Sequence, residues 1–289
     1  MDQKVNGADD SGAPAPQSAR PEAAAPNAPA VMPRTSAALA ARSLGIRAGE
    51  RQLVTELSVE FRAGEFTAIL GRNGCGKTLT LHTLAGLRRP QQGVVRLDGA
   101  PLDRVRRRAI AQRLGVLTQD LEESFSTTAL ESVLIGRHPH LAAWQWETAE
   151  DERLARAALA HVQMESFAAR STERLSGGER RRVAIASLLA QAPQVFLLDE
   201  PTNHLDPHHQ IAVLDLFRAQ ANAGRTVIAT LHDPTLAARF ADRVILLFGD
   251  GRWLEGPTRA TLTSGTLSEI YLTPIIEIDA PNRRVFVSA

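Results

Sequence analysis

Residues 71–78, GRNGCGKT, place glycines, a lysine and a threonine at the spacing G-x-x-x-x-G-K-T. Glycines let a backbone curl until successive amides point at one anion, and the dipole of a helix starting there strengthens the field. In such a loop Lys77 reaches the β- and γ-phosphates of a nucleoside triphosphate, and the Thr78 hydroxyl ligates Mg²⁺. The binding set is Gly71, Arg72, Asn73, Gly74, Cys75, Gly76, Lys77, Thr78 and Leu79. Of 33 basic residues only Lys4 and Lys77 are lysines, and Lys77 stands where a compact ammonium and a planar guanidinium are not interchangeable. Cys75 reads as a spacer at which a bulky thiol reagent would block the nucleotide.

Further along, the apolar run VFLLDE ends in Asp199 and Glu200. Two acids closing a strand are otherwise a solvated strand end. Beside a phosphate loop, Asp199 suits the Mg²⁺ shell and Glu200 suits the orientation and deprotonation of an attacking water. Gln119 ends LGVLTQ and His232 ends TVIATLH, which puts both at the carboxyl edge of a sheet, where α/β proteins bind ligands. Each is expected to contact the γ-phosphate or the water, Gln119 also the metal. A second loop, LSGGERRR at 175–182, leaves amides uncovered at a helix start and so offers a second anion site.

The elements that position these residues follow from apolar patterning. Short runs at 53–61, 66–70 and 94–97 end in turns, and VFLLDE, TVIATLH and RVILLF repeat the pattern late in the chain. RVILLF is joined to RWLEG by Gly249-Asp250-Gly251, a hairpin signal. Runs without alternation suit strands covered on both faces, hence an α/β sheet. Residues from about 120 to 180 read as helical. There TAEDERLARAALAHVQM opens on a Thr148 cap and spaces Leu154, Ala158 and Val162 along one face. Residues 1–36, rich in Ala and Pro, are expected to be a disordered tail.

A chain of 289 residues with 44% hydrophobic content can bury a core, and its net charge of +1 gives no footprint for nucleic acid. No run of about 18 apolar residues spans a bilayer. The polar start MDQKVNGADD leads us to expect no signal peptide and a cytosolic product, which the single cysteine also fits.

In order, GRNGCGKT, Gln119, LSGGE, VFLLDE, NHLD at 203–206 and His232 resemble the nucleotide-binding subunits of ABC transporters, over about residues 38–275. The resemblance implies an α/β fold: a P-loop NTPase (RecA-like) core, an inserted α-helical subdomain at about 120–180 and a small N-terminal antiparallel β subdomain. The ATPase domain would run over 37–275, with a C-terminal extension at 276–289. It implies ATP and Mg²⁺ as cofactors and catalytic roles for Glu200, His232 and Gln119. Two copies of the chain would clamp two ATP molecules, each between one chain's phosphate loop and the other's Ser176, Gly177, Gly178 and Glu179, with Asp206 in the D-loop. Arg180 to Arg182 are expected to face solvent or acidic neighbours.

GRHPH at 136–140 and the stretch EGPTRATLTSGTLSEIY at 255–271 are similar to importer ATPases for iron-siderophores, haem and cobalamin. This implies a polytopic membrane permease as partner, a periplasmic or surface substrate-binding protein acting indirectly, and no nucleic acid. The subunit would lie peripherally on the cytoplasmic face of the inner membrane. His138 and His140 read as residues of the face that meets the permease, not as haem or metal ligands. The family's usual aromatic for adenine is replaced by Ala48, so Arg47 or Arg51 is expected to stack on the purine, with poorer ATP/GTP discrimination. Glu179 stands where glutamine is commoner, a mild change if the serine and glycine amides make the contact. The alternatives are an ABC importer ATPase for another cargo, and a soluble ABC-type ATPase not coupled to transport. The latter usually carries tandem cassettes or a coiled-coil insert, which are absent here.

Overall fold

A computed structural model describes residues 37–119, 127–142, 144–280 and 283–289; the expected tail at 1–36 and the start of the expected helical region, 120–126, lie outside them. The chain opens with β1 (Ala37–Ala48), β2 (Arg51–Arg62) and β3 (Phe66–Leu70), then α1 (Lys77–Leu84), β4 (Gln92–Leu97), β5 (Ala100–Pro101), α2 (Arg107–Arg113) and β6 (Leu114–Leu117). Three helices follow, α3 (Ala129–Leu134), α4 (Ala149–His161) and α5 (Gly177–Gln191), with a 3₁₀ segment Ile135–His140 after the first. The remainder is β7 (Val195–Leu198), α6 (Pro207–Asn222), β8 (Thr226–Thr230), α7 (Pro234–Phe240), β9 (Arg243–Leu247) and β10 (Trp253–Pro257), then α8 (Thr258–Thr261), α9 (Ser264–Tyr271), β11 (Ile275–Ala280) and β12 (Arg283–Ser288).

Six strands form one sheet in the order β10-β9-β3-β8-β7-β6, parallel except for the β9–β10 hairpin. The apolar runs are unbroken because both faces are covered: every residue of β3, β7 and β8 is buried. Side chains of a strand alternate, and the core divides accordingly. Phe66, Ala68 and Leu70 enter one cluster with Leu214, Phe217 and Phe240 of α6 and α7. Ile69, Ile228 and Ile245 enter another with Leu81 and Leu84 of α1 and Phe61 of β2. The second cluster is roofed by an antiparallel sheet, β2-β1-β4-β5.

In the helical part, Thr148 caps α4 as expected, in a reciprocal box with Asp151. The buried stripe of α4 differs by one position: Ala155, Ala158, Leu159 and Val162 are buried, while Leu154 is half-buried at its margin. The reason is that α4 packs against both α3 and α5, so its stripe centres between those neighbours. Among the described residues no helix is long and apolar enough to cross a membrane.

Candidate active site

Parallel strands deliver their following loops to one edge, and β3, β6, β7 and β8 all end there. The loop after β3 curls through Gly74 and Gly76, whose φ angles of 74° and 104° favour glycine, and α1 begins at Lys77 with Gly76 as its cap. Lys77 is buried, and its Nζ donates to the Gly71 carbonyl at 2.9 Å, which fixes the ammonium over the loop. Cys75 is buried, and that burial pushes its thiol pKa up, so a thiol reagent meets a shielded, protonated group.

A cavity of about 550 Å³ opens over this loop. Lys77, Thr78, Gln119, Glu200, Asn203 and His232 line its polar side; Ala48 and Leu53 line its apolar end. The structure thus brings together residues 48 to 232 of the chain at one edge, with Gln119 exposed two residues past β6.

Asp199 is fully buried, and its Oδ1 accepts from the Thr230 hydroxyl at 2.7 Å. Its Oδ2 is buried with no hydrogen-bond partner among the described residues, and His82 Nε2 of α1 lies 3.9 Å away. An orphaned carboxylate oxygen in a dry site is costly, and a cation removes that cost. Glu200 is also buried; its side chain meets His232 Nε2 through one oxygen and accepts from Asn203 Nδ2 through the other. Its φ of 48° is unusual for a residue with a side chain, and its amide donates to Thr230 Oγ1 at 2.8 Å. Thr230, Asn203 and His82 were not singled out from sequence. Asn203 sits in NHLD, but Thr230 and His82 carry no local signal beyond polarity within apolar runs.

The second anion loop stands apart: none of Ser176, Gly177, Gly178 and Glu179 lines the cavity. Ser176 caps α5 in a reciprocal box, its amide donating to Glu179 Oε2 at 2.6 Å and its Oγ accepting from the Glu179 amide. The Ser176 amide is therefore occupied, contrary to expectation, because the Glu179 carboxylate reaches back to it. What remains for an anion is the pair of Gly177 and Gly178 amides at the helix start. The bonds from the Ser176 amide and hydroxyl hold the Glu179 carboxyl below the usual range. Asp206 caps α6, and bonds from the His209 amide and ring lower its pKa as well.

Two other expectations change. Arg181 is buried, with its guanidinium on the carbonyls of Thr118, Asp199 and Glu200, so it is turned away from solvent and binds the backbone of its two acidic neighbours. Helical periodicity explains this: position 181 lies on the core side, while Arg180 donates to Leu175 O and Arg182 to Val162 O. Arg47 donates to Glu50 O and Arg51 to Gly249 O, and neither lines the cavity, because Ala48 faces it and strand alternation turns Arg47 away. His138 meets Glu147 at 3.3 Å, and His140 meets the Gln191 carbonyl at 2.8 Å.

The family profile described as ABC transporter matches residues 54–203. The chain is 41% identical over 236 residues to a hemin import ATP-binding protein of Streptomyces coelicolor, covering 82% of this chain and 84% of that one. It is 36% identical to the iron(3+)-hydroxamate import ATP-binding protein of Bacillus subtilis, covering 81% and 87%. Among solved structures, a transporter assigned to the metal-chelate type and caught inward-facing superposes with a TM-score of 0.78 at 30% identity, covering 88% of this chain and 98% of that one. A dimeric bacterial ABC transporter cassette gives 0.67 at 27% identity, covering 76% and 99%.

Proposed function

The chain belongs to the ABC transporter family, and we propose that it powers uptake of a metal chelate, an iron-siderophore, haem or cobalamin, through a membrane permease. It is an ATPase whose hydrolysis is coupled to transport. The names of the hemin and hydroxamate relatives support the chelate class. The observation that carries the mechanism is spatial: the phosphate loop, Gln119, Glu200 and His232 share one cavity, with Asp199 buried next to Glu200 in the chain, while the Ser176 loop lies outside it.

In this reading Lys77 and the loop amides hold the β- and γ-phosphates of ATP. The Thr78 hydroxyl and Gln119 at the cavity, together with the buried, unpartnered Asp199 Oδ2, would supply the oxygen donors for Mg²⁺, which when bound would neutralise charge developing on the phosphates. Glu200 takes a proton from the attacking water as the water oxygen bonds to the γ-phosphorus and the bond to ADP breaks. His232 and Asn203 fix both Glu200 oxygens, so the carboxylate is aimed before the water arrives. The Ser176 loop, with Gly178, would contact the γ-phosphate bound by a second copy, with Asp206 beside that junction. Pairing on ATP and release after hydrolysis then drive the permease, because ATP binds the paired state better. The subunit would sit at the cytoplasmic face of the membrane, and a substrate-binding protein would act on the far side.

Uptake of labelled siderophore, haem and cobalamin in cells lacking the chain tests the reading. One of the three is expected to be lost, and restored by the wild-type chain but not by Lys77→Ala. Unchanged uptake of all three contradicts the chelate assignment; co-purification with a polytopic membrane protein then separates another cargo from a soluble ATPase.

A further inference from the structure

The helix that begins at the Ser176 loop is tied to the catalytic strand ends by one side chain. Arg181, five residues into the capped segment, is 3% exposed. Its Nη1 donates to Thr118 O at 2.5 Å, and its Nη2 donates to Asp199 O at 2.6 Å and Glu200 O at 2.8 Å. The Asp199 amide still pairs with Leu117 O, so Thr118, Asp199 and Glu200 are where the ladder between β6 and β7 runs out and carbonyls need new donors. A planar guanidinium can serve three carbonyls at once, which a glutamine amide or a lysine ammonium cannot do in the same geometry. Burial lowers the Arg181 pKa to about 10, against the opposing pull of Asp199 and Glu200, so the group stays charged at neutral pH.

Both ends of this link bear on function. Glu200 adopts a positive φ, a strained conformation for a residue with a side chain, kept only where surroundings over-determine it. Here Thr230 holds the Glu200 amide and Arg181 holds the Glu200 carbonyl. Thr118 precedes Gln119, the other cavity residue on that side. These three bonds join α5 directly to the peptides that aim Glu200 and precede Gln119, so a shift of α5 is passed to them.

We propose that Arg181 is a positioning residue that transmits engagement of the Ser176 loop by a partner's nucleotide to Glu200 in the chain's own ATP site. The inference rests on the two-copy reading above and names how its two sites sense each other. A coupling of this kind is a free energy between sites, so it is read as cooperativity and not as affinity for a single nucleotide.

The test compares wild type with Arg181→Gln and Arg181→Lys in ATPase titrations, alongside fluorescent-nucleotide binding to the isolated chain. Thermal melting identifies which variant is folded at the assay temperature; Arg181→Lys, which keeps the charge, carries the test if Arg181→Gln melts. Expected are nucleotide binding by the single chain within about two-fold of wild type, a kcat lower by about 100-fold, the scale of a misplaced catalytic group, and a Hill coefficient falling from above 1 to 1. A folded variant that keeps both kcat and the Hill coefficient overturns the proposal while ATP-driven pairing of wild type still stands. A wild type that never pairs on ATP overturns the two-copy reading and the proposal with it. Loss of single-chain nucleotide binding in parallel with kcat also overturns it, since Arg181 would then serve the loop and not the coupling.

Discussion

Glu179 puts a carboxylate where the two-copy reading brings a phosphate. Its oxygen is drawn back to the Ser176 amide, and bonds from that amide and hydroxyl keep it ionised at neutral pH. Glutamine can form the same reciprocal cap without the charge. Glu179→Gln is therefore expected to cost a little stability, about 0.5 kcal/mol from the weaker interaction with the helix N-terminus, and to lower KM for ATP. Removing one screened repulsion of about 1 kcal/mol lowers KM roughly five-fold. ATPase titration checks this, and an unchanged KM removes Glu179 from the phosphate's surroundings. At this scale the motifs made Lys77, Thr78, Asp199, Glu200 and His232 legible, because their chemistry is tied to local spacing. Thr230 and Arg181 were not legible: a threonine in an apolar strand and the middle arginine of three acquire their roles only from neighbours distant in sequence.

Among the elements, the join of α4 to its neighbours depends on Asp151. Its carboxylate accepts from the Thr148 hydroxyl at 2.7 Å and amide at 3.0 Å, and Arg137 donates to it at 2.9 Å while also donating to Ala190 O of α5. These bonds, Thr148 first, lower the Asp151 pKa from 3.8 to about 2. A depressed folded-state pKa contributes stability above the ordinary carboxylate value, lost as pH falls from about 4 through about 2. Asp151→Asn should thus destabilise by about 1–2 kcal/mol at pH 7, with a smaller gap to wild type at pH 3. Denaturant titrations at both pH values check it; an equal gap at the two would show that the Asp151 charge carries none of the effect. The cap was readable from Thr148 and the acidic first turn. The role of Arg137 in GRHPH was not, since nothing local says that this arginine reaches α4 and α5. Gly136 beside it is explained only by packing: a Cβ there would lie 2.2 Å from the Ser187 carbonyl.

For the whole molecule, strand alternation sorts the core into two clusters and leaves one sheet edge for chemistry, and that much followed from apolar runs and turns. The curled phosphate loop and Glu200 reach one cavity, yet the Ser176 loop does not, so a single chain holds half of each proposed site. Such incompleteness was signalled by two anion loops in one sequence. The identity of the purine contact was not, because Ala48 offers little surface and the nearby arginines are engaged elsewhere. The central claim is that ATP completes a site between two copies and that Glu200 ends that state by activating water. Its most direct measurement is the mass of Glu200→Gln in sedimentation with ATP and Mg²⁺, together with the nucleotide retained. Predicted is a stable species of two chains holding two ATP molecules, abolished by adding Ser176→Arg; a variant that stays monomeric with ATP bound, or turns ATP over at the wild-type rate, contradicts the account.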